Sequence, residues 1–231
     1  AYVEENIDER LRGRIIGWEK GKQAFEQSEC KIENETNIRF KEEYDNSRLY
    51  LNNIINGDKE CVCNDIDIWL EEIESPLEFN VDYDYDDMSH VLWIDLDLPE
   101  IEDFPHQKAV QMASGNKKLK DKTKQELNSD YKNYVFGLAL FLSSHLFNIS
   151  PSISTIVLSG YTQRRDKNGN INDEYVYSIA FERNKLMKLN IVKGDPFNNC
   201  SKFKNRCNLT ATDILKQIEP FDKSNPSEVL G

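Results

Sequence analysis

Residues 77–98 read LEFNVDYDYDDMSHVLWIDLDL, and the alternation within them decides the fold. Phe79, Val81, Tyr83 and Tyr85 alternate with Glu78, Asn80, Asp82 and Asp84. After a break, Leu92, Ile94, Leu96 and Leu98 alternate with Val91, Trp93, Asp95 and Asp97. A period of two is the mark of a strand buried on one face. The four residues DDMS at 86–89 suit a hairpin loop. That loop would set Tyr85 opposite His90, Val81 opposite Ile94 and Phe79 opposite Leu96. All the apolar side chains then share one face, and the other carries Glu78, Asn80, Asp82, Asp84, Trp93, Asp95 and Asp97. Like charges facing each other destabilise a sheet. The acidic face therefore expects open water, a cation, or covering arginines, with Arg164, Arg165 and Arg183 as candidates.

Outward from this hairpin, KAVQMASG (108–115) reads as a third strand turned at Gly115. The lysine-rich run GNKKLKDKTK (115–124) reads as the solvated start of a helix. Leu127, Tyr131, Val135, Leu138, Leu142 and Leu146 then form a stripe, widened by Phe136, Leu140 and Phe147 into a helix buried on most faces. ISTIVLSGYTQ (153–163) and EYVYSIAFER (174–183) read as antiparallel strands turned near Asn168-Gly169. NLTATDILKQIEPF (208–221) reads as a last helix, capped by Thr210 or Thr212 and ended at Pro220.

The first 57 residues hold no proline, and Val3, Ile7, Leu11, Ile15, Trp18 and Phe25 recur at helical spacing. The polar stretch ENETN (33–37) predicts a break, and a second helix then ends at Asn56-Gly57. A third helix is expected from Asn64 to Glu74. The expected fold is α+β: a mixed, largely antiparallel sheet of about five strands packed on a long buried helix, with an N-terminal helical hairpin extension. The expected divisions are a helical extension at 1–75, a core domain at 76–222 and a flexible C-terminal tail at 223–231.

The chain has 231 residues, 39% hydrophobic and 30% charged, with a net charge of −12 and a pI near 4.8. Such a charge repels phosphate and disfavours nucleic acid as a partner. No apolar run reaches the roughly 18 residues a membrane helix needs, so no membrane association is expected. The five cysteines (Cys30, Cys61, Cys63, Cys200 and Cys207) are odd in number and irregularly spaced, which points to a reducing, cytoplasmic setting. Neither CVC at 61–63 nor the pair Cys200 and Cys207 has the ligand gaps of a structural zinc site. The chain opens at Ala1 without methionine, so a trimmed N-terminus and a missing upstream segment are expected.

Asp95, Asp97, Glu100, Glu102 and Asp103 place five carboxylates within nine positions. Hard carboxylate oxygens suit Mg²⁺ or Ca²⁺, with Asp95 and Asp97 as the candidate metal ligands. The element order also resembles restriction-endonuclease-like cores. That resemblance implies a divalent-metal-dependent nuclease-like hydrolase, with Asp95 or Asp97 as the first acid and Lys108 as the lysine. The triplet before it reads His106-Gln107-Lys108 and lacks the expected acid, which Glu102 or Asp103 would have to supply.

DLDLPEIEDFP (95–105), SGYTQR (159–164) and DEYVYSIAFER (173–183), in that order, resemble a family of uncharacterised bacterial proteins. The resemblance spans roughly residues 77–222. It implies a bacterial cytoplasmic origin and supplies no mechanism, cofactor or activity. It also directs attention to Glu100, Tyr161, Gln163, Arg164 and Glu174 as a candidate binding set. Arg164 could pair locally with Glu174 or Asp173, or cross to the acidic loop and clamp it. The function expected first is a protein- or ligand-binding module, with the N-terminal helices joining a protein partner or a second copy. The nuclease is the alternative.

Overall fold

The computed structural model describes residues 2–113, 115–165, 169, 171–191 and 194–230, without the side chains of 2–7 and 165. The side chains of Val3, Ile7 and Arg165, and Asn168 of the expected turn, lie outside the described residues. The chain divides into two units, 1–52 and 53–231.

The first unit is helical, part of α1 (Tyr2–Asn56). The break expected at 33–37 is absent, so the expected hairpin is one helix. Glu, Asn and Thr are polar, but they leave the i→i−4 hydrogen bonds intact, unlike proline. Ion pairs one turn apart, Lys31–Glu35 at 3.8 Å reaching into the polar stretch and Arg39–Glu43 at 4.0 Å after it, contribute about 0.2–0.5 kcal/mol each. Leu11, Ile15, Trp18 and Phe25 are exposed along it.

The second unit is α+β. It begins with the last turn of α1 and continues with α2 (Lys59–Glu72), capped by Asp58, whose carboxylate accepts the Cys61 N–H at 3.0 Å. Val62 and Ile66 of α2 are buried in the core of this unit, so residues 59–72 belong to the core and not to an extension over 1–75. The expected cap, Asn64, lies inside the helix.

A mixed six-stranded sheet follows the order β1-β2-β5-β6-β7-β8. Its strands are β1 (Asn80–Asp86), β2 (Val91–Asp97), β5 (Thr155–Arg165), β6 (Ile171–Glu182), β7 (Lys204–Leu209) and β8 (Leu215–Lys216). Only β2 and β5 pair in parallel. The β1–β2 register differs from expectation: Asp86 pairs with Val91 and Val81 with Leu96, a shift of two residues. The Asp86 carboxylate accepts the Met88 N–H at 3.1 Å and the Ser89 hydroxyl at 2.5 Å, and His90 turns at φ 57°, which extends the loop to 87–90. A two-residue shift preserves every facing, because side chains alternate with period two. Asp82 consequently faces Asp95, and Asn80 faces Asp97.

The inner face packs on α3 (Lys124–Ile149), through Leu92, Leu96, Leu158 and Tyr177 of the sheet and Val135, Leu142 and Leu146 of the helix. Thr123 caps α3 reciprocally with Glu126. The lysine run 115–124 is not the start of this helix. Residues Lys117–Asp121 are a strand (β4) that pairs with β3 (Gln107–Gln111) in a separate two-stranded hairpin. Gly115 makes the turn at φ +84°, a conformation that favours glycine. The expected third strand therefore lies outside the main sheet.

The expected last helix is likewise replaced by β7, a turn and β8. Thr210 Oγ1 accepts the Ile214 N–H at 2.9 Å and Asp213 adopts φ 61°, so the threonine closes a turn instead of capping a helix. Within the segment expected as a flexible tail, Val229 is buried. Phe221 and Val229 bury against Val91, Trp93, Val157 and Ala180 on the outer sheet face. Lys59 and Lys223 both pair with Asp84. Cover for the acidic side thus comes from two lysines, while Arg183 donates to the Ile153 carbonyl at 2.7 Å and lies over the Phe147 ring. No helix among the described residues is long and apolar enough to cross a membrane.

Candidate functional site

The site forms where β2 and β5 end side by side. Beyond β2, Leu98 donates to the Tyr161 carbonyl at 2.9 Å, so the parallel pairing runs one residue further. Pro99 has no N–H, and the chain leaves the sheet there. Residues Ile101–Asp103 form a 3₁₀ turn, in which the Asp103 carboxylate accepts the Glu100 N–H at 3.2 Å. Phe104 anchors the far end of the loop, edge-on to Tyr131 and Tyr134 at 5.3 and 5.2 Å between centroids.

On β5, the register with β6 shifts between Gly160 and Tyr161. Before the shift Gly160 faces Tyr177; after it Tyr161 faces Tyr175, so Val176 is the extra residue of a bulge. Thr162 and Arg164 then line a cleft of about 600 Å³ together with Glu100, Glu102, Tyr131 and Asp213. This volume falls within the usual range for a small-molecule pocket, about 300–1,000 Å³. The β7–β8 turn is tied to α3 by Asn128 Nδ2 donating to the Thr212 carbonyl at 3.1 Å and by the Lys132–Asp213 ion pair at 2.9 Å.

The polar groups of the cleft differ in how they are partnered. Glu100 Oε1 accepts the Gln163 N–H at 2.8 Å. Arg164 pairs with Glu174 at 3.2 Å and donates to the Leu215 carbonyl at 3.1 Å. Tyr131 is 6% exposed and Thr162 2% exposed, and neither hydroxyl oxygen has a hydrogen-bond partner among the described residues. Burial holds the Glu100 carboxyl above its ordinary range, against the Gln163 N–H that lowers it, and nearby Glu102 adds to the rise. Burial also raises the Tyr131 phenol, with Glu100 acting in the same direction.

The five carboxylates of 95–103 do not converge. Glu100 and Glu102 line the cleft, whereas Asp97 and Asp103 line a neighbouring hollow of about 320 Å³ that shares Glu100 and Gln163. Asp95 lies on the outer sheet face, where it accepts the Tyr175 hydroxyl at 3.0 Å. Desolvation raises the Asp95 and Asp97 carboxyls, opposed by the Tyr175 and Asn80 hydrogen bonds respectively. Among the described residues, no group of three or more His, Cys, Asp or Glu side chains is placed to hold a metal ion. Lys108 lies in the separate β3–β4 hairpin and pairs with Glu126. Among the described residues, no ion pair joins Lys108 to Asp95, Asp97, Glu102 or Asp103.

Of the expected binding set, Glu100, Gln163 and Arg164 meet at the cleft, and Glu174 supports it through Arg164. Tyr161 does not line it; its ring lies 5.6 Å from that of Tyr175. Arg164 takes the local partner Glu174, and the contact to the acidic loop is made by the backbone of Gln163. Tyr131, Thr162, Asn128 and Asp213 were not foreseen. Thr162 sits inside the SGYTQR motif, and Tyr131 reads from sequence only as one residue of an apolar stripe.

Residues 53–231 are thus an α+β unit with a polar cleft at the adjoining ends of two parallel strands. No family model, curated protein or solved structure matches this chain.

Proposed function

We propose that residues 53–231 form a binding module whose cleft beside Glu100, Tyr131 and Thr162 takes a small polar ligand. One observation carries this reading: a cleft of about 600 Å³ is lined by the charged and polar residues Glu100, Glu102, Gln163 and Arg164, a size suited to a small ligand. The test is a thermal-shift screen of neutral, cationic and anionic small polar compounds against the full chain and Glu102→Ala, which alters an exposed lining residue. A stabilising compound whose effect is lost in the variant supports the reading. The absence of any shift across all three classes would sink it.

The resemblance of the 95–105, 159–164 and 173–183 motifs supports a bacterial cytoplasmic origin for this module. The described residues give a metal-dependent hydrolase no comparable support.

A second reading concerns α1. Leu11, Trp18, Phe25 and Ile32 recur every seven residues, and Trp18 and Phe25 are 66% and 65% exposed. The position four residues on reads Ile15, Lys22 and Glu29, so this stripe is narrower than the two-position seam of a coiled coil; a second copy of the helix is nevertheless a partner that would cover its exposed Trp18 and Phe25. Sedimentation equilibrium should show self-association that Trp18→Glu/Phe25→Glu abolishes. A chain monomeric at all concentrations would exclude this reading.

A further inference from the structure

The apolar stripe of α1 carries charge at two of its positions. Leu11, Ile15, Trp18, Phe25 and Ile32 share one face of the helix, and every described side chain from Asp8 to Asn52 is exposed. A helix draws most of its stability from packing an apolar face, so a stripe of this length fits a partner lying along it. Lys22 and Glu29 stand on the same face, four residues after Trp18 and Phe25. Lys22 Nζ lies 5.6 Å from the Trp18 ring centroid and 3.7 Å from Glu26, two contacts within its own helix that are open to solvent. Charge also divides along the helix. Residues 10–22 hold five cations and one acid, and residues 25–37 hold four acids and one cation.

Resting on the self-association reading above, we infer that two copies of α1 pack antiparallel, with their two-fold axis passing between Gln23 and Ala24. That register lays the basic block 10–22 of each copy along the acidic block 25–37 of the other. It sets Ile15 against Ile32 of the second copy, Leu11 against Thr36, Trp18 against Glu29 and Lys22 against Phe25. A two-fold interface makes each of these contacts twice. Lys22 then meets an aromatic face and stands within one turn of Glu29 of the second copy, so each charge in the stripe has a partner of the right kind. On the flanks, Arg12 comes beside Glu33 and Arg14 beside Glu35, against one like pair, Glu19 beside Glu26. A parallel, in-register pair would instead set Lys22 against Lys22 and Glu29 against Glu29 inside the stripe, and each block along its own sign. Charged residues at seam positions select orientation in this way, by penalising the alternative.

Sedimentation equilibrium on the full chain tests this at low ionic strength, where exposed charges are least screened. The variants are Lys22→Glu, Glu29→Lys and the double exchange Lys22→Glu/Glu29→Lys. Lys and Glu are both good helix formers and both positions are exposed, so α1 persists in all three, as circular dichroism verifies. The expected result is that each single variant weakens self-association by about ten-fold or more, whereas the double exchange returns it to within about three-fold of the wild type. In the antiparallel pair the exchange restores opposite charges and moves the cation from Phe25 to Trp18 of the second copy. In a parallel pair it would only replace one set of like charges by another. Single variants that associate like the wild type, or a double exchange no better than either of them, overturn the antiparallel register and leave self-association standing. A wild-type chain that is monomeric at every concentration removes both.

Discussion

The carboxylate of Glu100 accepts the backbone N–H of Gln163 at 2.8 Å, joining the acidic loop after β2 to the end of β5 across 63 positions of sequence. This bond also separates the cleft from its neighbouring hollow, since both residues line both cavities. A hydrogen bond to a charged acceptor is worth about 1.5–3 kcal/mol, less where solvent reaches it. Glu100→Ala should lower stability by about 1 kcal/mol. Amide exchange should accelerate at Gln163, while exchange in the middle of β5 stays unchanged. Unaltered exchange at Gln163 would show that the loop is held by other contacts.

The unpartnered Thr162 hydroxyl leads to an expectation of the opposite sign. Thr162→Val removes a buried polar atom that makes no hydrogen bond among the described residues while keeping the branched shape. The ligand-free protein should therefore gain up to about 1 kcal/mol in urea unfolding. A loss of similar size would mean that the hydroxyl has a partner, an ordered water included, in the free protein.

Asp82 and Asp95 face each other across β1 and β2, and Asp95 titrates above its ordinary range because it is desolvated. A carboxyl whose pKa is raised by folding binds its proton more tightly in the native state than in the unfolded chain. Stability therefore falls as pH rises through that interval and recovers as pH falls. Asp95→Asn keeps an oxygen for the Tyr175 hydroxyl and removes the charge. It should add about 0.2–1 kcal/mol at pH 7, and the advantage should vanish below about pH 3, where the native aspartate is protonated in both states. A gain that persists unchanged at low pH would assign it to packing instead of charge.

Gly160 is required by close approach. A Cβ there would lie 2.5 Å from Tyr177 Cζ. The Tyr177 ring is fully buried and packs on Phe136 at 5.1 Å, and its hydroxyl donates to the Val135 carbonyl at 3.3 Å, so it has nowhere to retreat. Gly160→Ala should cost about 1–3 kcal/mol by overpacking, measured as a lower urea midpoint with an unchanged slope. Wild-type stability in this variant would mean that the bulge at Gly160 and Tyr161 can absorb the methyl group.

The sequence by itself determined which face of each strand is apolar. Phe79 to Tyr85 and Leu92 to Leu98 alternate so strictly that even a register two residues away leaves Asp82 and Asp95 on the outer side. It also marked the buried helix, the β5–β6 pairing and part of the cleft, because Glu100, Gln163 and Arg164 stand in compact motifs. These are local patterns, and backbone geometry converts them directly into facing. What it misjudged were segments whose local pattern is weak. ENETN does not break α1, KKLKD is a strand, DILK leads from a turn into a strand, and Val229 of the expected tail packs on the outer face. Only the tertiary structure decided the convergence of Tyr131, Thr162 and Asp213 on one cavity, the pairing of Lys108 with Glu126, and the supply of Lys59 and Lys223 to Asp84. The physical reason is range: period and propensity act over a few residues, whereas a cleft is set by how a helix, a bulge and a turn tens of residues apart pack together.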